Sequence, residues 1–350
     1  MRRGLIARSL VELPDAVFET RLERLRAAMR QAQCDALVVY TNNTRPAGVS
    51  WLAGFVPYWS EALLVVPNEG MPYLVAALSF RVKSWIERVS RLGEVLHTPR
   101  IGLKAAQQIA ERRPDAVAGV ADFDGLPAGI ADDLREGGPG LTLCDASAWF
   151  ATLRARADPA EVALATKAAA IANCALNAVP SDASLNVMIS VIERTARNLG
   201  AEEIYVAAAP DLDRDCRLGR IEGEPAQGKN FALRATVAYK GTWVRLVRSF
   251  ADPAIAQQAS IALAKAVAQL PSDRGFANFQ SWLVEGCRMT QPLEPLAGSR
   301  LSPSAAPPPG MLVSVQGVLT IDGRNIVVGA PALIGADGEA ASLLGAPSYQ

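Results

Sequence analysis

The sequence predicts a mixed α/β fold in two domains. A chain of 350 residues is long for one domain and comfortable for two, each large enough to bury its own core. Segments with the apolar spacing of amphipathic helices alternate along the chain with short apolar runs that favour strands. The stretch 231–250 shows the two-residue alternation of a β-hairpin on both sides of Gly241.

The composition is that of an ordinary globular protein, half hydrophobic and one fifth charged. Basic and acidic residues number 35 each, so no overall field would attract nucleic acid or an anionic membrane. No apolar run is long enough to span a bilayer, and the start of the sequence lacks the pattern of a secretory signal. Five cysteines without a CxxC pair favour reduced thiols, and hence a cytoplasmic protein without a zinc site.

The first domain, residues 1–153, is expected to be an α/β unit. Apolar side chains recur every three or four residues between positions 14 and 32, as on one face of a helix. Short apolar runs between turn residues predict the strands. The predicted helices cover 14–32, 49–55, 80–89 and 102–112, and the predicted strands cover 34–40, 61–67, 71–77, 94–97, 116–121 and 141–144.

The second domain, residues 154–350, begins with a strong helix start. Asp158 is in the capping position, Pro159 is the first helical residue and Glu161 follows. The Pro-rich segment 302–310 is expected to be a stiff connector or a recognition segment. The predicted helices cover 158–179, 185–199, 253–270 and 274–285, and the predicted strands cover 203–208, both arms of the hairpin 231–250, 311–317 and 325–334.

Three arginines interrupt the alternation of the hairpin. Arg234 precedes its Tyr239–Thr242 turn, and Arg245 and Arg248 follow it. Arginine is rarely buried without an anionic partner, because an isolated buried charge is costly. The three side chains are therefore either solvated or line a cavity built for negative charge.

Several local patterns, taken in their order along the chain, resemble one family. Three of them resemble the amino-terminal domain of the creatinase, prolidase and aminopeptidase P group: Arg21-Leu-Glu-Arg-Leu-Arg-Ala-Ala-Met, Cys34-Asp-Ala-Leu-Val-Val and Trp51-Leu-Ala-Gly-Phe. Others resemble its catalytic domain: Asp158-Pro-Ala-Glu-Val-Ala-Leu, Tyr239-Lys-Gly-Thr-Trp with Arg248-Ser-Phe, and Pro309-Gly-Met-Leu-Val-Ser-Val. The resemblance implies an amino-terminal creatinase-like α/β domain followed by a pita-bread α/β domain.

The metal ligands of that group have no counterparts in this sequence. Active members hold two divalent ions with two Asp, one His and two Glu, and the metal activates water. The resemblance places Arg234 and Arg245 at the two Asp positions, and Gln316 and Gly329 at the two Glu positions. Guanidinium groups there would repel a divalent cation. No metal and no other cofactor is therefore predicted.

The sequence also does not support a mechanism that uses a histidine base. Creatinase itself works without metal through a histidine base, but the only histidine of this chain, His97, lies in the other domain. By the resemblance, His97 could reach the cleft of a partner subunit, or it simply ends a strand. Arg45, Tyr58 and Trp59 occupy loops that would approach that cleft, and such side chains are favoured at interfaces; loop packing is the alternative.

The predicted ligand-binding residues are Arg217, Arg234, Tyr239, Arg245, Arg248 and Gln316. Guanidinium groups match the oxygens of carboxylate or phosphate, so the ligand would be a small anion. The alternative is that the arginines pair with acids such as Asp213, Glu222 or Glu224.

Cys216 is a possible nucleophile, because Arg214 and Arg217 would favour its thiolate. Without a histidine base, such a cysteine is more often inert.

These observations favour a metal-free, catalytically silent homologue of Xaa-Pro peptidases and creatinase. It would bind a small anion or a partner subunit, as a homodimer or beside an active paralogue. The alternative is a metal-independent hydrolase of C–N bonds acting on a small carboxylated amide or amidine held by Arg234 and Arg245. A metal-dependent Xaa-Pro aminopeptidase is the least favoured, because the second domain contains no histidine.

Overall fold

The computed structural model describes residues 9–57, 60–180, 182–270, 272–287, 307–336 and 339–345. The chain divides into two compact units, Met1–Arg154 and Ala155–Gln350. Tyr58, Trp59 and the first part of the Pro-rich segment, up to residue 306, lie outside the described residues.

The first unit contains a mixed sheet of six strands in the order β4-β3-β2-β1-β5-β6 within its described residues. Strand β1 pairs antiparallel with β2 and parallel with β5. The elements are α1 (Asp15–Gln31), β1 (Ala36–Asn42), α2 (Ala47–Ala53), β2 (Glu61–Pro67), β3 (Tyr73–Ala76), α3 (Lys83–Val89), β4 (Glu94–His97), α4 (Ile101–Arg112), β5 (Val117–Ala121), α5 (Ala128–Gly137), β6 (Thr142–Asp145) and α6 (Ser147–Ala155).

Apolar clusters lie on both faces of this first sheet. Helix α1 buries a stripe that includes Phe18, Leu25 and Met29, as its spacing predicts. Leu37 and Val39 of β1 join the cluster with α1, whereas Val38 joins a second cluster with α4 and α5. The alternation of β1 therefore supplies both layers of the core.

The second unit contains a sheet in the order β10-β11-β12-β9-β8-β7, with β13 added beside β12. Neighbours in this sheet pair antiparallel. The elements are α7 (Pro159–Asn177), α8 (Leu185–Asn198), β7 (Glu203–Ala209), β8 (Phe231–Tyr239), β9 (Thr242–Phe250), α9 (Pro253–Val267), β10 (Phe279–Gly286), β11 (Leu312–Ile321), β12 (Arg324–Leu333) and β13 (Ser342–Leu343).

Helix α7 begins as the sequence predicts. The Asp158 carboxylate accepts a hydrogen bond from the Glu161 amide at 2.9 Å, and the Glu161 carboxylate accepts one from the Asp158 amide at 3.1 Å. Pro159 occupies the first turn, where no amide hydrogen is needed. This capping box fixes where the second unit starts its first helix.

The two faces of the second sheet differ in character. One face packs against α7, α8 and α9, and Leu233 and Ala235 of β8 belong to that apolar cluster. Strand alternation places Ala232, Arg234 and Thr236 of β8 on the other face, which we call the arginine face. Ala232 joins a smaller cluster there with residues of β7, β9, β12 and the 210–218 loop.

The predicted helix at 274–285 is wrong. Residues Asp273–Phe276 form one short 3₁₀ turn, and Phe279–Gly286 form strand β10 at the edge of the sheet. The pairing of β10 with β11 decides this conformation, and β11 lies far along the chain. Helices α5 and α6 were not predicted.

None of the helices in the described ranges combines the length and the apolar character needed to cross a membrane.

Candidate functional site

The β8–β9 hairpin sets the register of the site. Tyr239 pairs with Thr242 across the predicted two-residue turn, and Lys240 and Gly241 both have positive φ angles, 47° and 77°. Such turns match the right-handed twist of the strands that they join. The Gly241 amide donates to a carboxylate oxygen of Glu202 at 3.1 Å, which holds the turn against β7.

Arg234 and Arg245 are both buried on the arginine face. Arg245 lies opposite Thr236, two residues after Arg234 on β8, so the two arginines occupy adjoining rows of neighbouring strands. Only 2% of Arg234 and 3% of Arg245 is exposed. The possibility that these side chains are solvated is therefore excluded.

Arg245 forms an ion pair with Glu285 of β10. Strands β12 and β11 separate β9 from β10, a distance of about 14 Å on a flat sheet. The side chains of Arg245 and Glu285 are too short to meet across that distance on a flat sheet. The sheet must therefore curl toward the arginine face for this contact to form. Glu285 stays 31% exposed, so the acidic end of the pair is the more accessible one.

The pKa values of Arg234 and Arg245 reflect two like charges that are buried close together. Burial, and next the charge of Arg245, lower the pKa of Arg234 to about 9, while Glu285 acts in the opposite direction. Burial also lowers the pKa of Arg245, and Glu285 raises it through its charge and its hydrogen bond. With this pKa, the Arg234 guanidinium remains charged at neutral pH.

Polar side chains accompany the two arginines on this face. The Thr236 hydroxyl is fully buried and makes no hydrogen bond within the described residues. Gln316 of β11 follows Ser314 by two residues, and Ser314 lies opposite Glu285. Buried hydroxyl groups are normally hydrogen-bonded, so Thr236 has an unused donor beside two cationic groups.

The arrangement does not fit a pair of divalent cations. Two of the four positions compared with metal ligands carry guanidinium groups, and a cation there would meet like charge. At Gly329 a Cβ atom would lie 2.8 Å from the Val315 carbonyl oxygen and 2.9 Å from a Val247 methyl carbon, so the backbone leaves no room for a side chain. Among the described residues, no cluster of three or more His, Cys, Asp or Glu could hold a metal ion.

Two of the predicted ligand-binding residues lie on the other side of the sheet. Arg248 donates to Asn173 at 2.9 Å and to Asn177, both on α7. The Tyr239 ring lies 5.7 Å from the Lys167 ammonium group, also on α7. The prediction that Arg248 and Tyr239 share one site with Arg234 is wrong. Arg248 is three positions from Arg245 and Tyr239 is five positions from Arg234, and residues an odd number of positions apart on a strand face opposite ways.

The loop residues are also placed apart from the buried arginines. Arg217 is 73% exposed and bound to its neighbour Asp215 at 2.6 Å. Cys216 is half-buried, and burial, Asp215 and Asp213 raise the pKa of its thiol. The expected activation of Cys216 by neighbouring arginines is therefore wrong, since a nucleophilic thiolate needs a lowered pKa.

Glu285 is the residue that the sequence analysis missed. The acids expected to pair with the arginines, Asp213, Glu222 and Glu224, are all exposed. Strand alternation along β10 places Glu285 on the arginine face, but the sequence analysis predicted a helix there and so did not show this.

In the first unit, His97 is exposed at the end of β4, and Arg45 is exposed beside Gly125.

Residues 21–156 match the family described as "Creatinase/Prolidase N-terminal domain". The chain carries a creatinase/prolidase N-terminal domain. No curated protein sequence matches the chain significantly.

Solved structures resemble the creatinase-like domain together with the second unit. The Xaa-Pro dipeptidase from Bacillus anthracis (16% identity, TM-score 0.68) and the prolidase from Pyrococcus horikoshii (13%, 0.70) each match 95% of this chain and 99% of their own. The N-terminal domain of FACT complex subunit SPT16 from chickpea, Cicer arietinum, matches 95% of this chain and 97% of its own (13%, 0.60). These likenesses establish the fold: a creatinase-like domain followed by a pita-bread domain, as the sequence predicts.

Proposed function

We propose that this protein is a metal-free, catalytically silent relative of the prolidases that binds a small anion on the arginine face of its pita-bread domain. Arg234 and Arg245 would hold the anion, with the Thr236 hydroxyl and Gln316 as further polar contacts. Arg217, Arg248 and Tyr239 do not belong to this site.

The burial of two neighbouring guanidinium groups carries the proposal. Each is almost fully buried, and burial, and next the charge of Arg245, lower the pKa of Arg234. An anion bound between them would reduce the repulsion between the two charges. The buried Thr236 hydroxyl would gain an acceptor at the same time.

Binding is favoured over hydrolysis by the chemistry of the residues present. The charge and the space at the metal-ligand positions do not fit divalent cations, and the Cys216 thiol has a raised pKa. A metal-independent hydrolase of C–N bonds would need a general base near the arginines. Glu285 is the described acid there, and it is engaged by Arg245.

A thermal-shift panel tests the proposal. Small carboxylates, sulfate and phosphate are added at constant ionic strength, because a ligand that binds only the folded state raises the melting temperature. We expect at least one anion to raise it, and we expect Arg234→Met and Arg245→Met to abolish the rise. Arg217→Met is the matched control and should retain it, because Arg217 is exposed and paired with Asp215.

Two results would overturn the proposal. One is that no anion shifts the melting temperature of the wild-type protein. The other is that purified protein contains stoichiometric metal and cleaves Xaa-Pro peptides in the presence of manganese.

A protein partner is a second proposal. The chickpea structure is described as part of a complex subunit, so a protein with this fold can belong to a larger assembly. We propose that this chain assembles as a homodimer or with an active paralogue in the cytoplasm. Light scattering of the purified protein and co-purification from the source cell test this, and a monomer without a co-purifying protein would contradict it.

A further inference from the structure

Tyr205 and Trp243 form a stacked aromatic pair on the arginine face. Tyr205 of β7 lies opposite Thr236 of β8. Trp243 of β9 precedes Arg245 by two residues, so strand alternation places both rings on the face that carries the two arginines. The ring centroids are 5.9 Å apart and the ring planes are inclined by 28°. Ala238 of β8 lies opposite Trp243, and its small side chain lets the two rings meet above β8.

The aromatic pair adjoins the polar groups of the proposed anion site. Tyr205, Thr236 and Arg245 lie in register on three neighbouring strands, about 5 Å apart from one strand to the next. The Thr236 hydroxyl, on the middle strand, is fully buried and makes no hydrogen bond within the described residues. A ligand oxygen that accepts a hydrogen bond from this hydroxyl would therefore lie next to the Tyr205 ring.

The two rings of the pair differ in accessibility. Only 6% of Trp243 is exposed, whereas Tyr205 is half-buried. Strand β7 is the last strand of the sheet in the described part of the chain, so the Tyr205 ring is the outer member of the pair. A ligand on this face would therefore contact Tyr205, and the buried Trp243 would hold the Tyr205 ring in place.

We infer that the Tyr205–Trp243 pair makes the arginine face selective for a carboxylate attached to a planar aromatic ring. The inference rests on the proposed anion site and specifies its ligand class. Aromatic rings pack on one another in offset or edge-to-face arrangements, and these contacts add to the free energy of apolar burial. Because Thr236 and Tyr205 are neighbours, the carboxylate and the ring of the ligand must be adjacent too, as they are in benzoate.

The test compares benzoate with cyclohexanecarboxylate by isothermal titration calorimetry at neutral pH and constant ionic strength. Both are singly charged carboxylates on a ring of six carbon atoms, but only the benzoate ring is planar and aromatic. We expect the wild type to bind benzoate about threefold to tenfold more tightly. Cyclohexanecarboxylate presents at least as much apolar surface, so apolar burial alone would not give this preference.

Three variants assign the preference to the aromatic pair. Tyr205→Leu removes the accessible ring and should reduce the preference for benzoate to about twofold or less. Tyr205→Phe keeps the ring without its hydroxyl and should retain the preference. Trp282→Leu is the matched control, because Trp282 stacks on Phe276 with a centroid distance of 4.6 Å on the helix-covered face of the same sheet. Its loss should leave the preference unchanged.

The outcomes separate this inference from the proposed function. If the wild type binds no carboxylate, including propionate, both fall. If it binds carboxylates in a manner that requires Arg234, but binds cyclohexanecarboxylate as tightly as benzoate, the anion site stands and the inference falls. That comparison uses the wild type alone, so it decides even if Tyr205→Leu does not fold. An unchanged preference in folded Tyr205→Leu, or an equal loss in Trp282→Leu, would likewise overturn the inference.

Discussion

Arg245 on β9 contacts Glu285 on β10 although two strands lie between them in the sheet. The contact requires the sheet to curl, and it brings a carboxylate to the arginine face. That carboxylate partly compensates the charge of the two buried guanidinium groups there. This arrangement leads to predictions about stability as well as binding.

The two halves of the Arg245–Glu285 pair should differ in their effect on stability. Glu285→Gln leaves a deeply buried guanidinium without the carboxylate that raises its pKa, and we expect a loss of about 3 kcal/mol or more. Arg245→Met leaves a carboxylate that is 31% exposed and can be hydrated, so the loss should be about 1 kcal/mol. Urea denaturation of both variants measures the difference, and equal losses would contradict this view of the pair.

Gly329→Ala should be costly. Its Cβ would lie within 2.8 Å of the Val315 carbonyl oxygen, a backbone atom that cannot move aside easily. We expect a loss of about 1 to 3 kcal/mol in the free energy of unfolding. Gly219→Ala is the control, because a Cβ there meets nothing within 4 Å. A neutral Gly329→Ala variant would show that the strands can separate and that a larger side chain can be accommodated.

Glu202 makes stability depend on pH. Burial raises the pKa of its carboxyl to about 7 from an ordinary value of 4.5, so between these values the folded state binds more protons than the unfolded state. Stability contributed by this group is therefore present below about pH 4.5 and falls as the pH rises to about 7.

Glu202→Gln should remove this dependence and still accept the Gly241 hydrogen bond. We expect unfolding at pH 8 to require about 1 to 2 kcal/mol more than in the wild type, with little difference at pH 5. Glu224→Gln, which replaces an exposed acid, is the control. An equal effect of Glu202→Gln at both pH values would contradict a raised pKa.

The sequence predicts the hairpin and the family likeness well because both depend on local signals. The turn at Lys240-Gly241 and the capping box at Asp158 are chosen by residues within a few positions of each other. Strand β10 is different: its conformation depends on pairing with β11, whose sequence begins 33 residues after Phe279. Local pattern alone therefore gave a helix there.

The wrong prediction of a helix at 274–285 is the reason that the Arg245–Glu285 pair was not predicted. A helix at 274–285 gives no reason to place Glu285 opposite Arg245, so nearby acids in the 210–229 loop were expected instead. The sequence could have predicted that Arg245 and Arg248 lie on opposite faces of the sheet, since residues three apart on a strand face opposite ways. By the same rule it could have predicted that Thr236, two residues after Arg234, lies on the same face as Arg234.

The most direct test of the anion site is a crystal structure of the protein soaked with 3-bromopropionate, recorded at the bromine absorption edge. The carboxylate should lie between the guanidinium groups of Arg234 and Arg245, with an oxygen accepting from Thr236 and the anomalous bromine peak marking the other end of the molecule. A bromine peak found only on the outer surface, with the Arg234–Arg245 site unchanged by the soak, would contradict the proposed function.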